Sequence, residues 1–372
     1  TTPGTYKNKI YVSADGSDAD GDGSFENPYA TPEKALAAVA EISVLERANG
    51  VAVYFRKGSY AISDTLTINT GVTDILNGTP LILAAYNNEE VNFVGGATVS
   101  GSQFKLADEA TIGSEDWARL EDSVKGKVYV ADLKALGISK YFVFKENKNG
   151  GTPILSMNDS QLTLARYPDV GEVQFKSVID SGIGGGSCYE MLDKEPLTWK
   201  NTGNLYVRGS FYAEWAKAVG RIVKIDPENN SITTNAYLGW GGRELQPLYN
   251  NLHYYYNVFE ELTIPGEWYL DEATGLLYIY PPSGSITDSD EIRLSTTGAE
   301  YLMEIKGAKN VLISGITFEN GLGGVNIENS ENVVLQQTVI RDVSSFGLRI
   351  YESYKCGAIY STICRTGYGA FY

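Results

Sequence analysis

Carboxylates, arginines and amides recur at matched places in residues 310–372 of this chain. Glu319 and Arg341 share one place in a repeated segment, Asn320, Asp342 and Arg365 the next, and Asn326 and Arg349 a third. If the segments stack as neighbouring β-strands, these side chains stand about 4.8 Å apart. Two carboxyl groups roughly 5 Å apart can open a glycosidic bond through a covalent intermediate, and two roughly 6.5–9.5 Å apart can activate water directly. Glu319 and Asp342 can meet either spacing. An arginine beside a carboxylate favours its charged form, which suits a nucleophile or base better than an acid. Glu352, next to Tyr351, is a further acid candidate. Arg341, Arg349 and Asn326 are candidates to hold substrate. The plainer alternative is that outward charges merely solvate the surface and pair across it.

Three other groupings can carry chemistry. In Asp15-Gly16-Ser17-Asp18-Ala19-Asp20-Gly21-Asp22-Gly23, alternating aspartates and glycines can converge oxygens on a hard cation, so Asp18, Asp20 and Asp22 are candidate ligands for a structural Ca²⁺. The complete twelve-residue calcium loop with its final glutamate is missing, and a solvated acidic turn is the alternative. Trp240, Tyr249, Tyr254, Tyr255, Tyr256 and Tyr368 offer flat faces for sugar rings, with Trp240 in a glycine-rich loop and Tyr368 the foremost platforms. Packing is the competing use for such rings. His253, the single histidine, reads as structural. Phosphate-cradle, dinucleotide and serine-elbow motifs are missing.

What must position these groups is a stack of short strands. Asn310-Val311-Leu312-Ile313-Ser314-Gly315-Ile316-Thr317-Phe318-Glu319-Asn320 aligns with Asn332-Val333-Val334-Leu335-Gln336-Gln337-Thr338-Val339-Ile340-Arg341-Asp342. Gly324-Val325-Asn326-Ile327 aligns with Gly347-Leu348-Arg349-Ile350, and a third copy starts at Cys356. A period of 22–23 residues with alternating apolar positions predicts one rung of a parallel β-helix per repeat. The leucine and asparagine ladder of leucine-rich repeats is missing. The fold class is therefore all-β, a right-handed parallel β-helix. Thr31-Pro32-Glu33 opens a helix that can cap its N-terminal end. Residues 1–100 read as this cap with the first rungs, 101–290 as an irregular, aromatic-rich β insertion, and 291–372 as further rungs. The chain stops at Phe371-Tyr372 within a rung, so the natural polypeptide is expected to continue, or a second chain to complete the stack.

Composition agrees with that class and narrows the partners. The 40 glycines suit many tight turns. A net charge of −16 repels phosphate backbones and anionic lipid, leaving nucleic acid and membrane as poor partners. No run of eighteen apolar residues occurs. The 3 cysteines, Cys188, Cys356 and Cys364, fit no disulfide framework or zinc spacing and read as small buried fillers.

Particular stretches resemble a known group. Tyr11-Val12-Ser13-Ala14-Asp15-Gly16-Ser17-Asp18, Asn27-Pro28-Tyr29-Ala30-Thr31 and Gly58-Ser59-Tyr60 are similar to the start of bacterial pectate-lyase-like β-helix proteins. Leu164-Ala165-Arg166-Tyr167-Pro168, Pro265-Gly266-Glu267-Trp268-Tyr269-Leu270-Asp271 and Gly275-Leu276-Leu277-Tyr278 resemble a β-helix glycoside hydrolase group that includes lacto-N-biosidases and fucosidase- or xylanase-like relatives. The resemblance implies a secreted, extracellular bacterial glycosidase acting on carbohydrate through carboxylates borne on the rungs. It also leaves open a polysaccharide lyase using Ca²⁺ and arginine, and a non-catalytic carbohydrate-binding or split-enzyme subunit. Arg166 and Glu267 lie in the matching stretches, where they are expected to organise the insertion.

Overall fold

The computed structural model describes residues 6–73, 81–139, 152–158, 160–182, 185–200, 203–213, 217–238, 251–296 and 298–372. They are β-dominated, 45% strand against 12% helix. The chain divides into two compact units: residues 1–97, 152–154 and 293–372 form the first, and 98–151 with 155–292 the second.

The first unit begins with β1 (Asn8–Val12), α1 (Pro32–Glu41), β2 (Val51–Phe55), β3 (Gly58–Ala61), β4 (Leu66–Ile68), β5 (Leu81–Ala85) and β6 (Val91–Val94). It resumes with β7 (Met303–Lys306), β8 (Lys309–Ser314), β9 (Ile316–Gly321), β10 (Val325–Glu328), β11 (Glu331–Gln336), β12 (Val339–Val343), β13 (Phe346–Tyr351), β14 (Gly357–Ile359), β15 (Thr362–Thr366) and β16 (Gly369–Phe371). These strands sort into three sheets, in the orders β1-β2-β5-β8-β11-β14, β3-β6-β9-β12-β15 and β4-β7-β10-β13-β16. Every pairing within them is parallel. Each repeat therefore gives one strand to each sheet. One set of three is split: β5 and β6 are joined by β7, which pairs with β4 although the second unit intervenes in the sequence.

Alternation decides which side chains face inward. Leu83, Ile313 and Leu335 stack in register, as do Phe93, Phe318 and Ile340, and Met303, Val325 and Leu348. All nine are buried in one apolar cluster. Each such side chain contributes roughly 1.5–3 kcal/mol on leaving water. Ala35, Leu36 and Val39 of α1 join the same cluster, so the apolar face of this helix is spent on the stack. The helix begins as predicted, with the Thr31 hydroxyl accepting from the Lys34 amide at 3.2 Å.

The turns of the repeats use left-handed backbone, and they too recur at matched places. Gly307, Asn329 and Glu352 have positive φ; so do Asn310, Asn332 and Lys355, then Gly315, Gln337 and Tyr360, then Asn320, Asp342 and Arg365. Asparagine and glycine tolerate this conformation best, and Asn332 Nδ2 donates to Asn310 Oδ1 at 2.7 Å. A Cβ on Gly324 would meet the carbonyl of Gly347 at 2.3 Å, and one on Gly347 the carbonyl of Ala370 at 2.8 Å, which explains glycine at this matched position just before β10 and early in β13.

The second unit holds a different architecture. Antiparallel strands Val173–Asp180, Cys188–Met191, Ser231–Thr234, Lys217–Asp226, Tyr206–Ser210 and Leu252–Tyr256 pair in that order. Leu252–Tyr256 also pairs with Val173–Asp180, closing a six-stranded barrel. The sequence reading expected irregular β structure here. Closure was missed because the pairing of Tyr206–Ser210 with Leu252–Tyr256 is non-local and carries no repeat. Phe175, Tyr189, Phe211 and Tyr255 fill this unit's core. The cysteines Cys188, Cys356 and Cys364 are half-buried rather than fully buried free thiols, and Cys356 packs against the apolar cluster of the first unit.

Candidate functional site

Two outward faces of the first unit carry the polar ladders. On the sheet of β9, β12 and β15, Glu319 lies opposite Arg341, and the Arg341 Nε donates to Glu319 Oε2 at 2.8 Å. Arg293 Nη1 stands 3.2 Å from the other oxygen, Oε1. The glutamate side chain is 1% exposed. Asp342 sits at a left-handed corner, where Arg365 Nε and Nη2 each donate to one carboxylate oxygen at 2.6 Å. Its side chain is 3% exposed. Asn320 is buried at the matching corner, its amide donating to the Arg293 carbonyl at 2.9 Å. The predicted neighbours are all brought together, but in the arrangement of a charged stitch between rungs. Both carboxylates are sealed from solvent by guanidinium groups, leaving a substrate little to touch. Glu352 is exposed on another corner, in line with Gly307 and Asn329, and is not brought to this pair.

The sheet of β7, β10, β13 and β16 presents the second face. Glu304, Asn326 and Arg349 are in register on successive strands. Arg349 Nη1 donates to Asn326 Oδ1 at 3.0 Å, and Asn326 Nδ2 donates to Glu304 Oε1 at 3.1 Å. One step along the strands, Lys306 lies opposite Glu328, and Glu328 opposite Tyr351. Lys306 Nζ is 3.2 Å from Glu328 Oε1, and Arg349 Nη1 is 3.7 Å from Glu328 Oε2. Hydrogen bonding from Lys306, helped by the Lys306 charge, Asn326 and Arg349, holds the Glu328 carboxyl below the usual carboxylate range. The Arg349 guanidinium lies 4.9 Å from the Tyr351 ring centre and 5.8 Å from that of Tyr372, both exposed rings. Here Glu328 and Arg349 keep contact with water, at 21% and 25% exposure, while Asn326 between them is buried.

Glu304 and Glu328 escaped the sequence reading, although a signal was present. Glu304 lies 22 residues before Asn326, and Lys306 22 before Glu328. The rung of Met303-Glu304-Ile305 begins with Leu302 where later rungs have Gly324 and Gly347, which hid the alignment.

The remaining candidates separate. Asp18 is committed to α1: its Oδ1 accepts from the Ala30 and Thr31 amides at 2.8 and 3.1 Å, and its Oδ2 from the Thr31 hydroxyl at 2.6 Å. Burial acts to raise its pKa, but these hydrogen bonds and nearby Lys34 prevail and lower it. Asp22 accepts from the Ser24 amide at 2.9 Å, and Asp20 from the Ser17 hydroxyl at 3.4 Å. Among the described residues no three His, Cys, Asp or Glu side chains converge as metal ligands. In this arrangement Asp18, Asp20 and Asp22 cap turns and anchor the helix. Trp240 and Tyr249 lie outside the described residues. Tyr368 is exposed and meets Phe346 edge-on at 4.9 Å. Tyr255 and Tyr256 are buried. His253 is buried in the barrel between the Asn251 carbonyl and the Tyr255 hydroxyl, and burial pushes its pKa down to about 4. Arg166 binds the Pro168 carbonyl at 2.9 Å, and Glu267 accepts from the Thr263 and Ile264 amides at 3.0 and 3.2 Å, so both organise loops of the second unit.

No family model matches the chain, and no curated protein matches it. Solved structures do. One named a glycoside hydrolase aligns at a TM-score of 0.66 and 16% identity, over 92% of this chain and 67% of that one. XylC in complex with xylose aligns at 0.44 and 9%, over 96% of this chain and 54% of its own. The gp61 tailspike of Pseudomonas phage phi297 aligns at 0.23 and 8%, over 90% and 43%. This chain thus spans about two thirds of the first and about half of the next two. The last two likenesses are too remote to carry argument. The first, at 16% identity, shows a shared fold and nothing finer.

Proposed function

We propose that this chain belongs to an extracellular glycoside hydrolase, and that an oligo- or polysaccharide lies along the face of β7, β10, β13 and β16. In the same reading, the three parallel sheets wind as a right-handed parallel β-helix. One strand per sheet in every repeat supports the winding, and so does the likeness to a structure named a glycoside hydrolase. The observation that carries the site is the linked row Arg349, Asn326, Glu304, flanked by Glu328 and the exposed rings of Tyr351 and Tyr372. Glu304, Glu328 and Arg349 offer acceptors and donors to sugar hydroxyls, held in place by the buried Asn326, with flat apolar surface beside them. On the face of Glu319 and Asp342 the carboxylates themselves are buried under guanidinium groups.

The test is a screen of the purified chain on p-nitrophenyl glycosides and on soluble milk, mucin and xylan oligosaccharides. Absorbance of unsaturated products is followed in parallel to detect a lyase. Saccharide turnover or binding is expected, and Arg349→Ala should weaken it at least tenfold. Binding without turnover would favour the non-catalytic alternative. A wild-type chain that neither binds nor cleaves any of these sugars would defeat the proposal.

A further inference from the structure

Resting on that reading, we infer that Glu304 and Glu328, rather than Glu319 and Asp342, are the carboxyl pair that opens the glycosidic bond. Four observations converge on them. They occupy neighbouring strands of one sheet, two places apart in register, because Glu304 faces Asn326 and Lys306 faces Glu328. From the strand spacing and rise, the Cβ atoms of such diagonal neighbours stand roughly 8 Å apart, a base from which two glutamate side chains can hold their carboxyls at the roughly 6.5–9.5 Å that leaves room for a water molecule. Neither is sealed: Glu304 is half-buried and Glu328 is 21% exposed. Their surroundings also differ, which is what unlike roles require. Both receive the neutral amide of Asn326, and Glu328 has in addition the cations of Lys306 and Arg349 beside it.

The roles follow from that difference. Glu328, kept charged, takes a proton from water as the water oxygen bonds to the anomeric carbon. The bond from that carbon to the glycosidic oxygen breaks, and the carboxyl of Glu304 gives its proton to the departing oxygen. One water is consumed, two hydroxyl-bearing sugars form, and solvent returns the proton from Glu328 to Glu304. A single displacement inverts the anomeric configuration. Asn326 is a positioning residue, holding Glu304 through Nδ2 and Arg349 through Oδ1.

The experiment uses the full chain and whichever p-nitrophenyl glycoside and oligosaccharide it cleaves fastest. Glu328→Gln should lower kcat on both substrates by about 10²–10⁴-fold with KM changed less than about threefold. Glu304→Gln should lower kcat similarly on the oligosaccharide but far less on the nitrophenyl glycoside, whose leaving group needs no proton. A merely structural role would not split the two substrates. Proton NMR of the first-formed sugar should show inversion. A kcat within tenfold of wild type for both variants, or a loss carried by Glu319→Gln or Asp342→Asn instead, would overturn the assignment while leaving the hydrolase reading intact. A first product of retained configuration would overturn the division into base and acid. If the wild-type chain cleaves no sugar, the hydrolase reading falls first and this assignment with it.

Discussion

The two units treat particular buried acids in opposite ways. In the stacked strands, carboxylates meet cations one repeat away: Glu319 with Arg341, Asp342 with Arg365, Glu331 with Lys309, Glu328 with Lys306. Stacking in register places partners about 4.8 Å apart without any long-range folding. The second unit has no such period. Its Glu261 and Glu267, 9% and 1% exposed, face the Trp199 indole and backbone amides, and burial pushes both pKa values up to about 7. A repeat supplies compensating charge almost automatically; outside one, burial holds Glu261 and Glu267 toward their neutral forms. All 5 tryptophans of the sequence fall in residues 98–292, so tryptophan fluorescence reports the second unit alone.

The sharpest way to break the contrast is to remove one stitch. Glu319→Ala leaves the guanidiniums of Arg293 and Arg341 without the carboxylate they share. Removing one partner of a buried ion pair typically costs about 3–5 kcal/mol. Denaturant unfolding followed by far-ultraviolet circular dichroism should show a loss of that size. A loss below about 1 kcal/mol would mean that the pair is solvated and that the stitch is incidental.

Legibility from sequence follows the same division. Residues 310–372 declared their strands because Val311, Val333 and their neighbours repeat at a fixed interval, and inward and outward positions alternate within each. The pairs Glu319 with Arg341 and Asp342 with Arg365 were readable for the same reason. Alternation says that a side chain points away from the core; it does not say what then covers it. Glu319 is covered by Arg293, a residue outside the recognised repeat, so its burial had no local signature. Glu304 was hidden by the split rung, where β7 follows β6 only after the whole second unit. The aspartate loop is ambiguous in another way. Alternating Asp and Gly residues suit a cation or a set of tight turns equally, and only the fold shows Asp18 spent on the start of α1.

A smaller effect tests the other half of the contrast. Unfolded glutamate titrates near 4.3, so between about pH 5 and 7 the folded second unit retains protons on Glu261 and Glu267 that the unfolded chain has released. Their contribution is present at the acid end and lost as pH rises through 7. His253 acts with the opposite sign: its lowered pKa costs stability only as pH falls below about 6.5 toward 4. From pH 5 to 8 the two glutamates outweigh the histidine, for a net loss of about 3 kcal/mol. Urea unfolding followed by tryptophan fluorescence should show that fall, and Glu267→Gln should cut it to about 1 kcal/mol or less. A stability that rises over this range would place cations beside these acids and erase the distinction between the units.

The smallest effect concerns the acidic loop, where a stacked unit would gain nothing from metal if the helix already uses the charge. Asp18 accepts three hydrogen bonds at the start of α1, two of them from backbone amides that the helix entrance would otherwise leave unpaired. A carboxylate there also meets the positive end of the helix dipole. Asp18→Ala should therefore cost about 1–2 kcal/mol, the range of a lost helix cap, whether calcium is present or chelated. Melting of the wild-type chain should be the same in CaCl₂ as in EDTA, because a carboxylate with both oxygens occupied by donors can take a cation only by releasing the helix. If calcium raised the wild-type melting temperature and Asp18→Ala abolished that rise, the aspartates would be ligands after all, and the charge in this loop would be compensated by a bound ion rather than by the helix.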